Sequence, residues 1–192
     1  MKLAIALTVA LATLAAGGSA LAAQPETWSV DPVHSTAQFT ARHFGIVPVI
    51  GTIPIRSASV KLNPGEQLPV SVTAEFDPSK VDTHNDMRDG DLRSPHYFDV
   101  ATYSNIRFAS TKIDGDAKHF TVTGDLTMHG QTHPVTLSAQ VVGAGKSPRG
   151  RSIIAYAATA TIDRTLWGMN YGPMIVGNSV DISVNLEADA PQ

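Results

Sequence analysis

The feature that most constrains this 192-residue chain is a two-residue beat of apolar and polar side chains that recurs eight times. From Ser35 to His43, Ser35, Ala37, Phe39, Ala41 and His43 fall on one face, and Thr36, Gln38, Thr40 and Arg42 on the other. A period of two marks a β-strand with one buried face. The beat returns over Val70–Phe76, Phe120–Met128, Val135–Val141, Ile154–Ile162 and Val180–Leu186, and more weakly over Gly51–Leu62 and Ile106–Ile113. Turn formers separate the runs at Asn63-Pro64-Gly65-Glu66, Asp114-Gly115-Asp116, His129-Gly130-Gln131-Thr132 and, more loosely, Gly143 to Gly150. Short strands joined by hairpin loops predict an all-β antiparallel meander of eight strands. Only Asp86 to Phe98 lacks the beat, and a short helical segment is expected there before Pro95. No repeat of solenoid length and no interdomain linker is present, so one domain is expected.

The N-terminus has a different character. Lys2 precedes an apolar run from Leu3 to Ala16, broken by Gly17-Gly18-Ser19 and followed by small residues around Ala20-Leu21-Ala22. A positive end, a short apolar stretch and an A-x-A site describe a secretory leader. The run is shorter than the roughly 18 apolar residues that a membrane span needs. Residues 1–22 are therefore expected to be a signal peptide, cleaved after Ala22 or Ala23, with residues 23–192 as the mature domain. The chain has no Cys, so no thiol is available for a lipid anchor, a disulfide or a thiolate metal site. Loss of Lys2 takes the formal charge from −3 to −4. A mildly acidic domain has no basic field to hold nucleic acid or an anionic membrane, so neither nucleic-acid binding nor stable membrane insertion is expected. The sequence assigns no oligomeric state.

The apolar phase of the strands is rich in small residues: Ala37, Ala41, Ala74, Gly124, Ala139, Ala158 and Ala160. An eight-stranded barrel either fills its interior with side chains or leaves room for one small ligand. Small inward residues suit a ligand cavity, although a tapering filled barrel would use the same ones. In the first case Ala37, Phe39, Ala41, Ala74, Phe76, Ala139 and Ala158 are the lumen residues.

Other constellations point to little chemistry. No Gly-x-Ser-x-Gly elbow, phosphate loop or His-Glu-x-x-His run is present, so no catalytic residue and no cofactor are assigned. His129 and His133 are four apart but in a reversal, so a shared facing is not required of them. His34 and His43 are nine apart, which predicts opposite facing on one strand. No metal site is assigned. Asp82, Asp86, Asp89, Asp91 and Asp99 near His84 and His96 resemble acid/base machinery, but in a connecting segment they read more simply as caps and turn residues.

Several blocks then fall in a recognisable order. Trp28, Asp31, His34, Ser35 and Phe39 read W-x-x-D-x-x-H-S-x-x-x-F, followed by His43, Gly45 and Gly51. Next come Arg88-Asp89-Gly90-Asp91-Leu92-Arg93-Ser94, Tyr97-Phe98-Asp99-Val100, and Ile106, Phe108 and Ser110. Gly124-Asp125-Leu126-Thr127-Met128-His129-Gly130 and Asp163-Arg164 with Trp167-Gly168-Met169 complete the set. Together they resemble the YceI-like periplasmic proteins, also described as polyisoprenoid-binding and lipocalin-like. The resemblance implies an eight-stranded antiparallel lipocalin-like barrel holding an isoprenoid or other long-chain lipid in the bacterial periplasm. Asp91, Ser104 and Asp163 depart from the family pattern, where His, Pro and Asn are common; these positions bear on the head-group end of a ligand rather than on the fold. A phosphate or quinone head would need donors near the barrel mouth. Arg88, Arg93 and Arg164, which lie outside the alternating runs, are the candidates. A cell-envelope stress-protective or interaction protein without a fixed ligand, and an isoprenoid-modifying enzyme, are the alternative readings.

Overall fold

The computed structural model describes residues 24–191; the leader expected over residues 1–22 and its cleavage site lie outside them. Ten antiparallel strands follow one another. They are β1 (Glu26–Val30), β2 (Thr36–His43), β3 (Val47–Thr52), β4 (Ile55–Leu62), β5 (Pro69–Phe76), β6 (Ile106–Asp116), β7 (His119–Met128), β8 (Gln131–Lys146), β9 (Ser152–Asp163) and β10 (Val176–Asp189). The order of hydrogen-bonded neighbours is β1-β4-β5-β6-β7-β8-β9-β10-β2-β3, and β1 also pairs β10, which closes the sheet into a ring of eight.

The two extra strands come from breaks. Along β10, residues 176–185 pair with β2 and residues 188–189 with β1, so β1 and β2 form one interrupted wall strand. The interruption is built by Asp31, whose Oδ1 accepts from the Val33 amide at 2.7 Å, and by Ser35, whose hydroxyl accepts from the Glu187 amide at 2.9 Å. Ile53-Pro54 similarly divides β3 from β4; proline there has no amide to offer a ladder. The eight-stranded expectation holds for the ring. The sequence reading left out β1 and the first four of the six residues of β3.

Local chemistry sets the reversals. His129 and Gly130 have φ of 49° and 72°, the two left-handed residues of a type I′ hairpin turn. Two expected turns lie elsewhere. β6 runs through Asp114-Gly115-Asp116 and reverses after it, with Asp116 accepting from the amides of Lys118 and His119. β8 likewise runs on to Lys146, because residues 143–146 pair with residues 152–155 of β9. The helical segment is α1 (Asp86–Arg93), capped by Asn85 accepting from the Arg88 amide at 3.0 Å. It lies in the long connection between β5 and β6.

Two apolar clusters occupy the interior. One, around Val60, Leu62, Phe120 and Tyr156, fills the end where the β4–β5, β6–β7 and β8–β9 connections turn. The other, around Tyr97, Met128, Trp167 and Met169, lies where the β5–β6 and β9–β10 connections cross the barrel.

Candidate functional site

Between these clusters lies a cavity of about 220 Å³. Of the 32 residues on its wall, 28 have wholly apolar side chains, and the four exceptions are Gln38, Tyr97, Tyr156 and Arg164. The wall therefore offers dispersion contacts almost everywhere and one charge. A small polar substrate would lose its water without replacement there.

All seven residues expected in the lumen, Ala37, Phe39, Ala41, Ala74, Phe76, Ala139 and Ala158, lie on this wall. Register explains the free space. Ala37 pairs with Val184, Val184 with Ala158, and Ala158 with Ala139, so four adjacent strands present three alanines and a valine at one level. The opposite half of the wall carries larger groups, among them Phe76, Phe108 and Phe120. Small residues along one arc leave the space that aromatic rings on the other do not fill.

Phe39 shows how a ring is kept against the wall. It pairs across the strands with Gly51, and a Cβ at Gly51 would lie 2.6 Å from Phe39 Cε1 and 2.7 Å from Thr83 Cγ2. Glycine here permits close approach. Gly51→Ala is therefore expected to overpack this contact and lower stability by about 1–3 kcal/mol. Denaturant unfolding is the measurement, and an unchanged midpoint would show that Phe39 has room to retreat.

The three arginines separate cleanly. Arg88 and Arg93 are not on the cavity wall. Arg88 folds back on its own segment, with Nε donating to Thr83 Oγ1 and Nη2 to the Thr83 carbonyl, both at 2.7 Å. Arg164 is the one that reaches the cavity, and it is a core residue, 4% exposed, rather than a loop side chain at a mouth. Its guanidinium donates to the carbonyls of Gly177 (3.1 Å), Val176 (2.9 Å) and Met169. No carboxylate of the described residues lies within ion-pair distance of it. It also lies over the Tyr97 ring, 5.8 Å from the centroid. Burial lowers the Arg164 pKa and raises that of Tyr97. Three carbonyls satisfy the hydrogen bonds but leave a whole positive charge beside an apolar cavity. Asp163, just before it, caps a 3-10 turn by accepting from the Thr165 amide and hydroxyl, which holds Arg164 at the start of that turn.

The histidines and acidic residues have structural partners. His129 Nδ1 donates to the Trp167 carbonyl at 2.8 Å, His133 packs edge-on against the Trp167 ring, and the indole donates to the Leu126 carbonyl at 3.0 Å. His34 lies in the break before β2, so the argument from strand facing does not apply to it. It pairs with Asp31 at 2.8 Å, with Glu187 close by; these carboxylates raise its pKa, the Asp31 hydrogen bond first. Asp82 accepts from the His84 amide and buried Asp89 from Thr83. That is the turn and cap chemistry expected for the acidic segment. Sequence reasoning missed Tyr156, whose hydroxyl donates to the Gln67 carbonyl at 2.9 Å at the closed end of the cavity; burial raises its pKa. Its position on the apolar phase of β9 was the available signal.

Known proteins agree with this architecture. A UPF0312 protein of Staphylococcus epidermidis is 28% identical over 164 residues, covering 85% of this chain and 94% of the relative. Another, from Photorhabdus laumondii, is 34% identical over 154 residues, covering 79% and 78%. Among solved structures, Burkholderia cenocepacia BcnA superposes with a TM-score of 0.73 at 25% identity, covering 83% of this chain and 99% of that one. A polyisoprenoid binding domain from Saccharophagus degradans, implicated in plant cell wall breakdown, gives 0.59 at 18% identity, with coverage of 85% and 98%. The model of the YceI-like domain matches residues 28–188, almost the whole of the closed barrel. The chain therefore belongs to the YceI-like domain family.

Proposed function

We propose that this protein is a periplasmic carrier that holds an isoprenoid or other long-chain lipid inside its barrel, and that it is not an enzyme. The observation that carries the reading is the cavity wall, apolar at 28 of 32 positions and charged at one. A cavity of about 150 Å³ holds a benzene-sized group of six carbons, so about 220 Å³ takes about nine carbons, or nearly two isoprene units. Nine carbons at about 0.8 kcal/mol each give about 7 kcal/mol of gross burial energy. Ordering the chain and losing its free translation offset part of that, so a longer lipid needs contacts beyond the cavity to bind tightly. The similarity to a polyisoprenoid binding domain supports the same class of ligand. The seven lumen residues named above would contact the tail.

Arg164 is proposed to face the polar end, since a buried guanidinium beside the lumen favours an anionic head such as phosphate. The apolar leader at residues 1–22 supports export, and no helix of the described residues is long and apolar enough to cross a membrane.

The test is mass spectrometry of an organic extract from protein purified out of its own host's periplasm. A long-chain lipid at close to one per protein is expected. Protein that yields none, and whose melting temperature ignores added polyprenol, would favour the reading without a fixed ligand.

A further inference from the structure

We propose that the barrel docks on a lipid bilayer through an apolar patch formed by the β2–β3 tip and the loop before β10; the proposal deepens the carrier reading and rests on it for its purpose. Six of the twelve exposed large apolar side chains among the described residues sit in or directly beside two connections. Phe44, Ile46 and Val47 come from the hairpin tip, and Tyr171, Met174 and Ile175 from the loop. Ile46 is 76% exposed and Met174 85%. The Phe44 amide donates to the Ile175 carbonyl at 2.8 Å, which joins the two connections into one surface. Phe44 holds φ at 50°, a left-handed conformation that is an outlier for a bulky residue. The chain thus keeps an aromatic ring in solvent at a position where glycine or asparagine would be at ease. Contiguous exposed apolar surface marks a binding site.

Two observations choose a bilayer as the occupant. The first is continuity with the cavity. Tyr171 packs edge-on against Tyr97, with centroids 6.0 Å apart, and Tyr97 lines the lumen, as does Val176 directly after Ile175. A lipid leaving the cavity here would pass the Arg164 guanidinium beside Tyr97 and then meet the apolar side chains of the patch. The second is charge. Residues 42–50 and 164–180, the tip and the loop with the strand residues beside them, contain the exposed Arg42 and no Asp or Glu, in a chain whose formal charge is −3; Arg164 is buried. Apolar tips with one exposed cation beside them and no carboxylate fit the boundary between acyl chains and anionic headgroups. Three acidic residues of the neighbouring β5–β6 connection are engaged locally: Asp89 with Thr83, Asp82 with the His84 amide, and Asp91 with His96, which stacks on Tyr171.

The experiment uses protein freed of residues 1–22, so that the leader cannot partition into lipid; the closed barrel lies wholly within the described residues. Co-sedimentation is measured with vesicles of phosphatidylethanolamine and phosphatidylglycerol. The Phe44→Asn, Met174→Gln double variant is expected to lose about tenfold or more of its partitioning at an unchanged melting temperature, since asparagine accepts the left-handed conformation. Failure of the wild type to sediment, or equal sedimentation of the variant, would overturn the proposal. So would a wild-type dimer that becomes monomeric in the variant, which would assign the patch to a second copy. Uptake of a fluorescent polyprenol in vesicle-free solution is read separately. Uptake without vesicle binding removes the docking surface and leaves the carrier, whereas vesicle binding without uptake removes the carrier and leaves the surface.

Discussion

Arg164→Met is expected to destabilise the barrel by about 3 kcal/mol or more, because it strips the donors from three interior carbonyls at once. The acceptors, Met169, Val176 and Gly177, all lie in the β9–β10 connection or at the start of β10. Methionine fills much of the volume and returns none of the hydrogen bonds. Arg164→Lys separates the two roles of the side chain. Lysine keeps the charge but, with one nitrogen, cannot reproduce a planar fork aimed at several carbonyls, so it should also lose stability. If the buried charge reads a head group, the preference for a prenyl phosphate over the matching alcohol should fall in the methionine variant and survive in part in the lysine variant. Arg88→Ala and Arg93→Ala, off the cavity wall, should leave that ratio at its wild-type value. Denaturant unfolding gives the first quantity and competition binding the second. Loss of stability with an unchanged ratio in all variants would make Arg164 a purely structural clamp.

Ala158→Trp should abolish cargo binding while sparing the fold. Ala158 sits at the centre of the arc of small residues, paired with Ala139 on one side and Val184 on the other. An indole there projects into space that the carrier reading assigns to lipid. In an interior without that space the same change would overpack the core and cost about 1–3 kcal/mol. Melting temperature and lipid per protein, measured on one preparation, separate the two. A retained transition with at least about tenfold less lipid is expected. A clear fall in stability, with no lipid in the wild type, would make the alanines ordinary packing residues.

Strand phase was legible from the sequence because burial on one face imposes a period of two, and a slip of one residue would turn Ala37, Phe39 and Ala41 outward. The strand ends were less legible. Residues 143–146 read as a loose glycine-rich loop, yet they are strand because β9 supplies their hydrogen bonds; tertiary pairing overrides local preference. β1 was missed because only five residues precede the break at Asp31, too few to establish a beat. Arg164 was the largest surprise. An arginine outside the alternating runs reads as a side chain at the barrel mouth, and only folding of the β9–β10 connection brings the carbonyls of Met169, Val176 and Gly177 around it.

Ring closure places unequal demands along the chain. β10 joins β9 through eleven residue pairs, whereas its seam with β1 has two, and that seam links residues near opposite ends of the domain. Contacts this distant in sequence form slowly, because the entropy of closing the intervening loop must be met before they contribute. Neighbouring hairpins from β5 to β9 can assemble as an open, curved sheet, but the wall is sealed only when the C-terminal strand finds both β1 and β2. Until then the apolar face of that sheet is exposed along its whole length. The final fourteen residues of strand therefore set the interval during which a half-made barrel can aggregate, and a chain truncated before Val176 should never leave that state.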